Sequence, residues 1–323
     1  MIAADFTPGE ATTMPKFHVH RSTIINDTPE NVFAKVADFG TWTTWSPWLC
    51  AEPDAEVIVS DDPSSVGSTY AWKGEVVGQG EMEHRKLDPG RLIDEGIRFV
   101  KPFKSKSDVA FEFEPADGGT KITWHMKGSM PWFLFWMIPQ MEVFIGMDYE
   151  RGLKMLKEWI ETGTILSTTN IRGVEPVGPL RMAGIRKTTT ITEIGQSMEE
   201  SFCQAAEAFK KHGLPIEEAG ISVYHAFDMK AGTFDYTAGW ILPASAGDVP
   251  TEMSSWSIPT VNALRVDHLG SYDNVGNGWS AAHQYARYKK LKQSKVGTFE
   301  IYRNDPGQTE PADLQTEIYL PLK

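Results

Sequence analysis

Along the first half of the chain, apolar and polar residues alternate in run after run, and each run stops at a turn signal. FHVHRSTIIN (17–26), GSTYAWKG (67–74), GQGEMEHRKL (78–87), RLIDEGIRFV (91–100), SKSDVAFEFEP (105–115) and TKITWHMKG (120–128) all read this way, with Asp-Pro-Gly and Asp-Gly-Gly among the breaks. A period of two predicts strands, and the short turns predict an antiparallel meander. Parity places Val109, Phe111 and Phe113 on one face, and Ile122, Trp124 and Met126 on one face of the next strand, with charges opposite: a concave sheet with one wet side. After the first strand, Thr28-Pro29-Glu30 is a cap, a first-turn proline and a favourable charge for a short helix through Val32, Phe33, Val36 and Phe39. Trp42, Trp45 and Trp48 follow at helical-turn spacing, stopped by Pro47, and either edge a cavity mouth or pack on the sheet. The period then changes, and Ile145, Tyr149, Leu153, Leu156 and Ile160 form the apolar stripe of a long helix over 142–162 that ends at Gly163.

Residues 164–184 open with a stretch that loses periodicity and carries Gly, Pro and polar residues, the composition of a linker. Beyond it the pattern is duplicated. A strand at 191–195, a helix from Ser197 through Phe202 and Phe209, and strands at 220–229 and 233–243 are answered by a strand at 261–270, a helix through Trp279 and Leu291, and strands at 298–305 and 314–321. Aligning Pro243 with Pro321 sets Gly239 opposite Glu317 and Tyr224 opposite Tyr302, so the acid belongs to the second unit only. The expected fold class is α+β with two domains: residues 17–163, a sheet gripped by a long C-terminal helix, and 185–323, a twice-repeated βαββ unit, with 1–16 as a flexible N-terminus.

TPENVF after the first strand, WTTWSPW, GSTYAWKG with GQGEME, the strand pair PFKSKSDVAFEFEP and GGTKITWHMKG, and YERGLKMLKEW in the last helix together resemble the START-like, or SRPBCC/polyketide cyclase, helix-grip family over 17–163. That resemblance implies a hydrophobic cavity between helix and sheet. DHLGSY ahead of the second helix, EIYRNDP after it and TEIYLPL at the end resemble the GyrI-like effector-binding family over 185–323. Here the resemblance implies a cleft lined by aromatics, with an acid matching Glu317 at its base in members that bind lipophilic cations. It also points to a second class of members that hydrolyse reactive small molecules with the terminal Glu and a Tyr. The helix-turn-helix of the regulatory members is replaced in this chain by the helix-grip domain.

Composition narrows the partners. A net charge of −12 without a dense Lys/Arg cluster disfavours nucleic acid. Two distant cysteines, Cys50 and Cys203, suggest neither a disulfide framework nor a zinc site and fit a reducing, cytoplasmic setting. His18 and His20 share a strand face, but no third ligand is visible, so no metal site and no cofactor are expected. The stretch MPWFLFWMIPQM (130–141) is too short to span a bilayer and is broken by Pro131 and Pro139; it is expected as domain core, with a membrane-touching or lid segment as the alternative and no stable membrane insertion.

The candidate ligand residues of the second domain are Glu317, Tyr302, Tyr224, Trp240 and Tyr319, with Trp279 and Trp256 as packing. Those of the first are Tyr70, Trp72, Trp124, Glu95 and His84. A buried acid is costly unless it meets a partner, and an organic cation among aromatic rings supplies one. The expected function is binding of lipophilic, cationic small molecules in two cavities, for sensing or sequestration. The alternatives are hydrolysis of a reactive xenobiotic by Glu317 and Tyr302, and inhibition of a partner protein through an acidic surface.

Overall fold

The computed structural model describes residues 14–216, 219–229 and 231–323. Most of the stretch expected to form a flexible N-terminus, residues 1–13, lies outside the described residues.

The N-terminal sheet contains β1 (Lys16–Ile25), β2 (Glu56–Val59), β3 (Thr69–Lys73), β4 (Gln79–Asp88), β5 (Leu92–Lys101), β6 (Ser105–Ala116) and β7 (Gly119–Ser129), in the order β1-β7-β6-β5-β4-β3-β2. All neighbours are antiparallel. The meander is the one the alternation predicts, and β2 is a short edge strand added to it. α1 (Pro29–Ala37) is capped by Thr28, whose hydroxyl accepts from the Asn31 amide, and α2 (Trp42–Trp45) holds the tryptophan turn.

The long helix α3 (Ile138–Thr162) starts earlier than its stripe suggested and ends at Gly163, whose φ of 83° is the left-handed stop. It also closes the free edge of β1. Glu142 accepts from the His18 amide at 3.3 Å, Glu161 accepts from the Asn26 amide at 2.7 Å, and Lys157 donates to the Ile24 carbonyl at 2.6 Å. These contacts occupy backbone groups that would otherwise template another strand.

Aromatic side chains fill the space between α3 and the sheet. Trp42, Trp45, Trp124 and Tyr149 are almost wholly buried, and Trp124 stacks on Tyr149 with ring centroids 3.9 Å apart. The large cavity implied by the helix-grip resemblance is thereby reduced to about 80 Å³, lined by Trp48, Tyr70, Trp72, Met82, Ile97 and Phe99 among others. In contrast, the stretch at 130–141 expected as core lies on the surface: Trp132, Phe133, Phe135 and Trp136 are each more than half exposed. No helix of the described residues is long and apolar enough to cross a membrane.

The C-terminal sheet is built from β8 (Thr168–Val177), β9 (Leu180–Thr190), β10 (Gly220–Asp228), β11 (Thr233–Ile241), β12 (Ser254–Ile258), β13 (Val261–Leu269), β14 (Thr298–Tyr302) and β15 (Gln315–Pro321). Its order is β12-β9-β11-β10-β14-β15-β13-β8, so the repeats β9-β11-β10 and β14-β15-β13 meet at β10 and β14. The expected linker contains β8, an edge strand whose sparse burial left little apolar pattern to detect. The first repeat's strand is β9, not 191–195, which forms the entry to helix α4 (Ile194–His212). Helix α5 (Val275–Tyr288) is its counterpart.

Strand register puts both helices on one side of the sheet. Ala183 and Trp240 face α4, Leu264, Val266, Ile318 and Leu320 face α5, and Ser222 and Glu300 lie between them. The other side buries Met182, Ile221, Val223, Phe299, Ile301 and Tyr319 in the concavity of the curled sheet. The two domains are joined through α3 and α5: Arg151 donates to Asn277 Oδ1 at 2.8 Å and to Ser280 Oγ at 2.9 Å, and Asn274 donates to Glu158 at 2.8 Å.

The close seating of α3 depends on Gly152, where a Cβ would lie 2.8 Å from Trp124 Cζ3. Gly152→Val is expected to cost ~1–3 kcal/mol through overpacking, measured as a shift of the urea midpoint; an unchanged midpoint would show that this contact does not set the packing of α3.

Candidate functional site

The register of β10 and β14 assembles the site. Gly220 faces Tyr302, Ile221 faces Ile301 and Ser222 faces Glu300. A local twofold through the Ile221–Ile301 pair makes Gly220 the mate of Glu300 and Ser222, two residues from the expected Tyr224, the mate of Tyr302. The acid therefore stands at the seam of the duplication on one side only.

Glu300 is 2% exposed, and four donors meet its carboxylate. Ser222 Oγ donates to Oε2 at 3.2 Å, Tyr224 OH to Oε2 at 3.1 Å, Tyr302 OH also to Oε2, and Trp279 Nε1 to Oε1 at 2.5 Å. They come from β10, β14 and α5, so the carboxylate ties the two repeats together. Charge-assisted bonds of this kind are the strong ones, and their number offsets the cost of burial. Burial raises the Tyr224 and Tyr302 hydroxyls well above the ordinary phenol range, and the nearby charge of Glu300 adds to the effect, so both remain donors at neutral pH.

Partly exposed rings stand around this floor between α4 and α5. Tyr224 meets Trp279 edge-on at 5.3 Å, Tyr302 meets Phe202 and Tyr272 at 5.6 Å each, and Trp240 meets Phe202 at 5.5 Å. The Tyr272 hydroxyl is pushed up to about 12, by burial first and then by Glu300 and Asp305. On the α4 side, Tyr236 OH is held by Ser197 at 2.6 Å and Ser201 at 2.9 Å. The result is a cluster of partly exposed rings over a buried carboxylate, whose faces suit an organic cation.

Of the residues expected in the second cavity, Tyr224 and Tyr302 bond Glu300 in this cluster and Trp240 borders it through Phe202. Glu317 and Tyr319 are not; strand parity turns them to the opposite side of the sheet. The expectation of an unpartnered Glu317 is also corrected. Its carboxylate takes Arg265 at 2.8 Å, Arg303 at 2.5 Å and Tyr319 OH at 3.0 Å, and Arg265 continues to Asp267 and Glu175. Sequence reading missed Glu300, although TFEIYRND places it on the face of Tyr302, and it assigned Trp279 to packing.

In the first domain, Tyr70 and Trp72 line the small cavity, while Trp124 is locked in the core. His84 and Glu95 form a fully buried pair beneath Phe39, which stacks on His84 at 3.9 Å. His84 Nε2 donates to the Ala37 carbonyl at 2.9 Å, turning Nδ1 toward Glu95 Oε1 at 3.1 Å, close but poorly aligned for a hydrogen bond. Burial pushes the Glu95 carboxyl above its ordinary range, partly opposed by His84. A larger groove of about 280 Å³ lies on the outer face of this domain's sheet, between Lys73, Glu56, Glu81 and Arg98, whose ion pairs account for its polarity.

A family model described as polyketide cyclase / dehydrase and lipid transport matches residues 16–161, and one described as GyrI-like small molecule binding domain matches 174–323. No curated protein matches the chain. Among solved structures, MLL2253 from Mesorhizobium loti is 14% identical, covering 46% of this chain and 99% of its own, with a TM-score of 0.36. The Aha1 dimer from Colwellia psychrerythraea is 14% identical, covering 45% and 97%, with a TM-score of 0.35. The C-terminal domain of EcmrR is 16% identical, covering 49% and 99%, with a TM-score of 0.40.

The role of Glu317 has a thermodynamic signature. Burial alone would raise its pKa, but the Arg303 hydrogen bond and the charges of Arg303 and Arg265 outweigh it, leaving the carboxyl below its ordinary range. A depressed carboxyl contributes stability above its unfolded value of about 4.3 and loses it as pH falls through the folded value. Glu317→Gln is expected to cost ~3 kcal/mol at pH 7, the low end for a broken buried pair because Arg303 is half exposed, and the gap from the parent should close in acid. Parallel stability curves for the two proteins across that range would contradict the assignment. The two matches follow the order of the two folded units, the polyketide cyclase / dehydrase and lipid transport model over the helix-grip domain and the GyrI-like small molecule binding model over the C-terminal sheet.

Proposed function

We propose that the cleft between α4 and α5 binds a lipophilic organic cation and that the protein senses or sequesters such compounds in the cytoplasm. The observation that carries this is Glu300, a carboxylate 2% exposed beneath Tyr224, Tyr302 and Trp279. Each aromatic face in contact with a cation contributes ~0.5–2 kcal/mol, and the carboxylate adds an attraction that low local dielectric strengthens. The match of residues 174–323 to a small molecule binding domain supports the same reading. The N-terminal domain, whose cavity of about 80 Å³ is below the few hundred usual for ligand sites, acts as a brace: its Arg151 holds α5, the helix that presents Trp279.

Hydrolysis in this cleft is the weaker reading. A general base needs access to water, whereas the Glu300 carboxylate is 2% exposed and its Oε2 already accepts three donors.

Titration with a lipophilic cation such as tetraphenylphosphonium, followed by tryptophan fluorescence, tests the proposal. Saturable quenching is expected in the parent, with at least tenfold weaker binding in Glu300→Gln and unchanged affinity in Glu317→Gln. Equal affinity for the parent and Glu300→Gln would remove Glu300 from the site. Loss confined to Glu317→Gln would move the site to the other side of the sheet.

A further inference from the structure

The outer face of the N-terminal sheet gathers three histidines that the sequence separates. His18 and His20 project from the same side of β1, and antiparallel pairing with β7 sets His125 directly opposite His20. The ligating nitrogens of all three lie within 4.8 Å of one another, and His18 Nε2 stands 3.0 Å from His125 Nδ1. Three nitrogens bound to a tetrahedral zinc ion at 2.0–2.1 Å are themselves ~3.3 Å apart, so small side-chain rotations close the set.

A second observation points the same way. With Nδ1 of His125 turned to His18, its Nε2 is buried without a hydrogen bond, 3.5 Å from Glu112 Oε2. Metal-bound imidazoles ordinarily present their far nitrogen to a carboxylate, which fixes ring orientation and strengthens the ligand. Glu112 stands where that carboxylate belongs. The rings of His18 and His20 also cover no core, since both face solvent while Phe17 and Val19 between and beside them face inward. Packing therefore does not explain the cluster.

We propose that His18, His20 and His125 bind one divalent transition-metal ion, zinc foremost, with Glu112 orienting His125. Three imidazoles leave a fourth tetrahedral position for water or an exogenous ligand. This site is on the wet face of the first domain and is independent of the Glu300 cleft.

The test uses the full chain, stripped with chelator and titrated with zinc sulfate by calorimetry and with cobalt(II) by absorption spectroscopy. One ion per chain is expected, with the intense visible bands of four-coordinate cobalt. His20→Ala and His125→Ala should each weaken binding at least 100-fold and Glu112→Gln about tenfold, whereas His212→Ala, at a histidine paired with Glu252, should leave affinity unchanged. Far-UV circular dichroism reports whether each variant folds, and the cobalt spectrum of the parent stands without any variant. Absence of one-to-one binding, weak octahedral cobalt bands, or affinity indifferent to the folded His20→Ala and His125→Ala proteins would overturn the site.

Discussion

A buried carboxylate is stable only where donors surround it, and Glu300 obtains its donors from both halves of a duplicated domain. Ser222 and Tyr224 come from the first repeat, Tyr302 and Trp279 from the second. The acid therefore requires the β10–β14 pairing, the seating of α5 and the cleft between the helices to coincide. Loss of any one element would leave charge buried without full compensation, which is more costly than never burying it. The twofold mate, Gly220, carries no side chain, and the rings of Phe202 and Tyr302 pack over it.

The two acids of the C-terminal strands illustrate how one sheet separates stability from binding. Glu317 and Glu300 lie on adjacent strands, β15 and β14, but on opposite faces. Glu317 meets two arginines, whereas every side-chain donor to Glu300 is neutral. The helix-grip domain adds a mechanical link, because Arg151 on α3 reaches the same α5 that carries Trp279.

The parts of this architecture legible in the sequence are those that bury a regular face. The meander and the stripe of α3 announced themselves because Val109, Phe111, Ile122 and Leu153 recur at the period of their element. β8 did not, because an edge strand with one weakly buried face has little periodicity to show. The repeat points to Tyr224 and Tyr302, which meet Glu300, whereas the ion pairing of Glu317 is invisible in the sequence because its partner Arg265 is 52 residues away in the chain. The neighbourhood of His18 and His20 is hidden in the same way, because His125 joins them only through the β1–β7 register. The aromatic run at 130–141 has the hydrophobicity of a core segment, yet its rings face solvent.

The central claim is that the cleft reads positive charge through Glu300, and the most direct measurement is the affinity ratio between a quaternary ammonium ligand and its neutral isostere with carbon in place of nitrogen. The two have nearly the same shape and apolar area, so the difference isolates the carboxylate and the ring faces. Binding of the cation at least tenfold tighter, corresponding to about 1.4 kcal/mol, is the result this account predicts. Equal affinities, or tighter binding of the neutral compound, would contradict it.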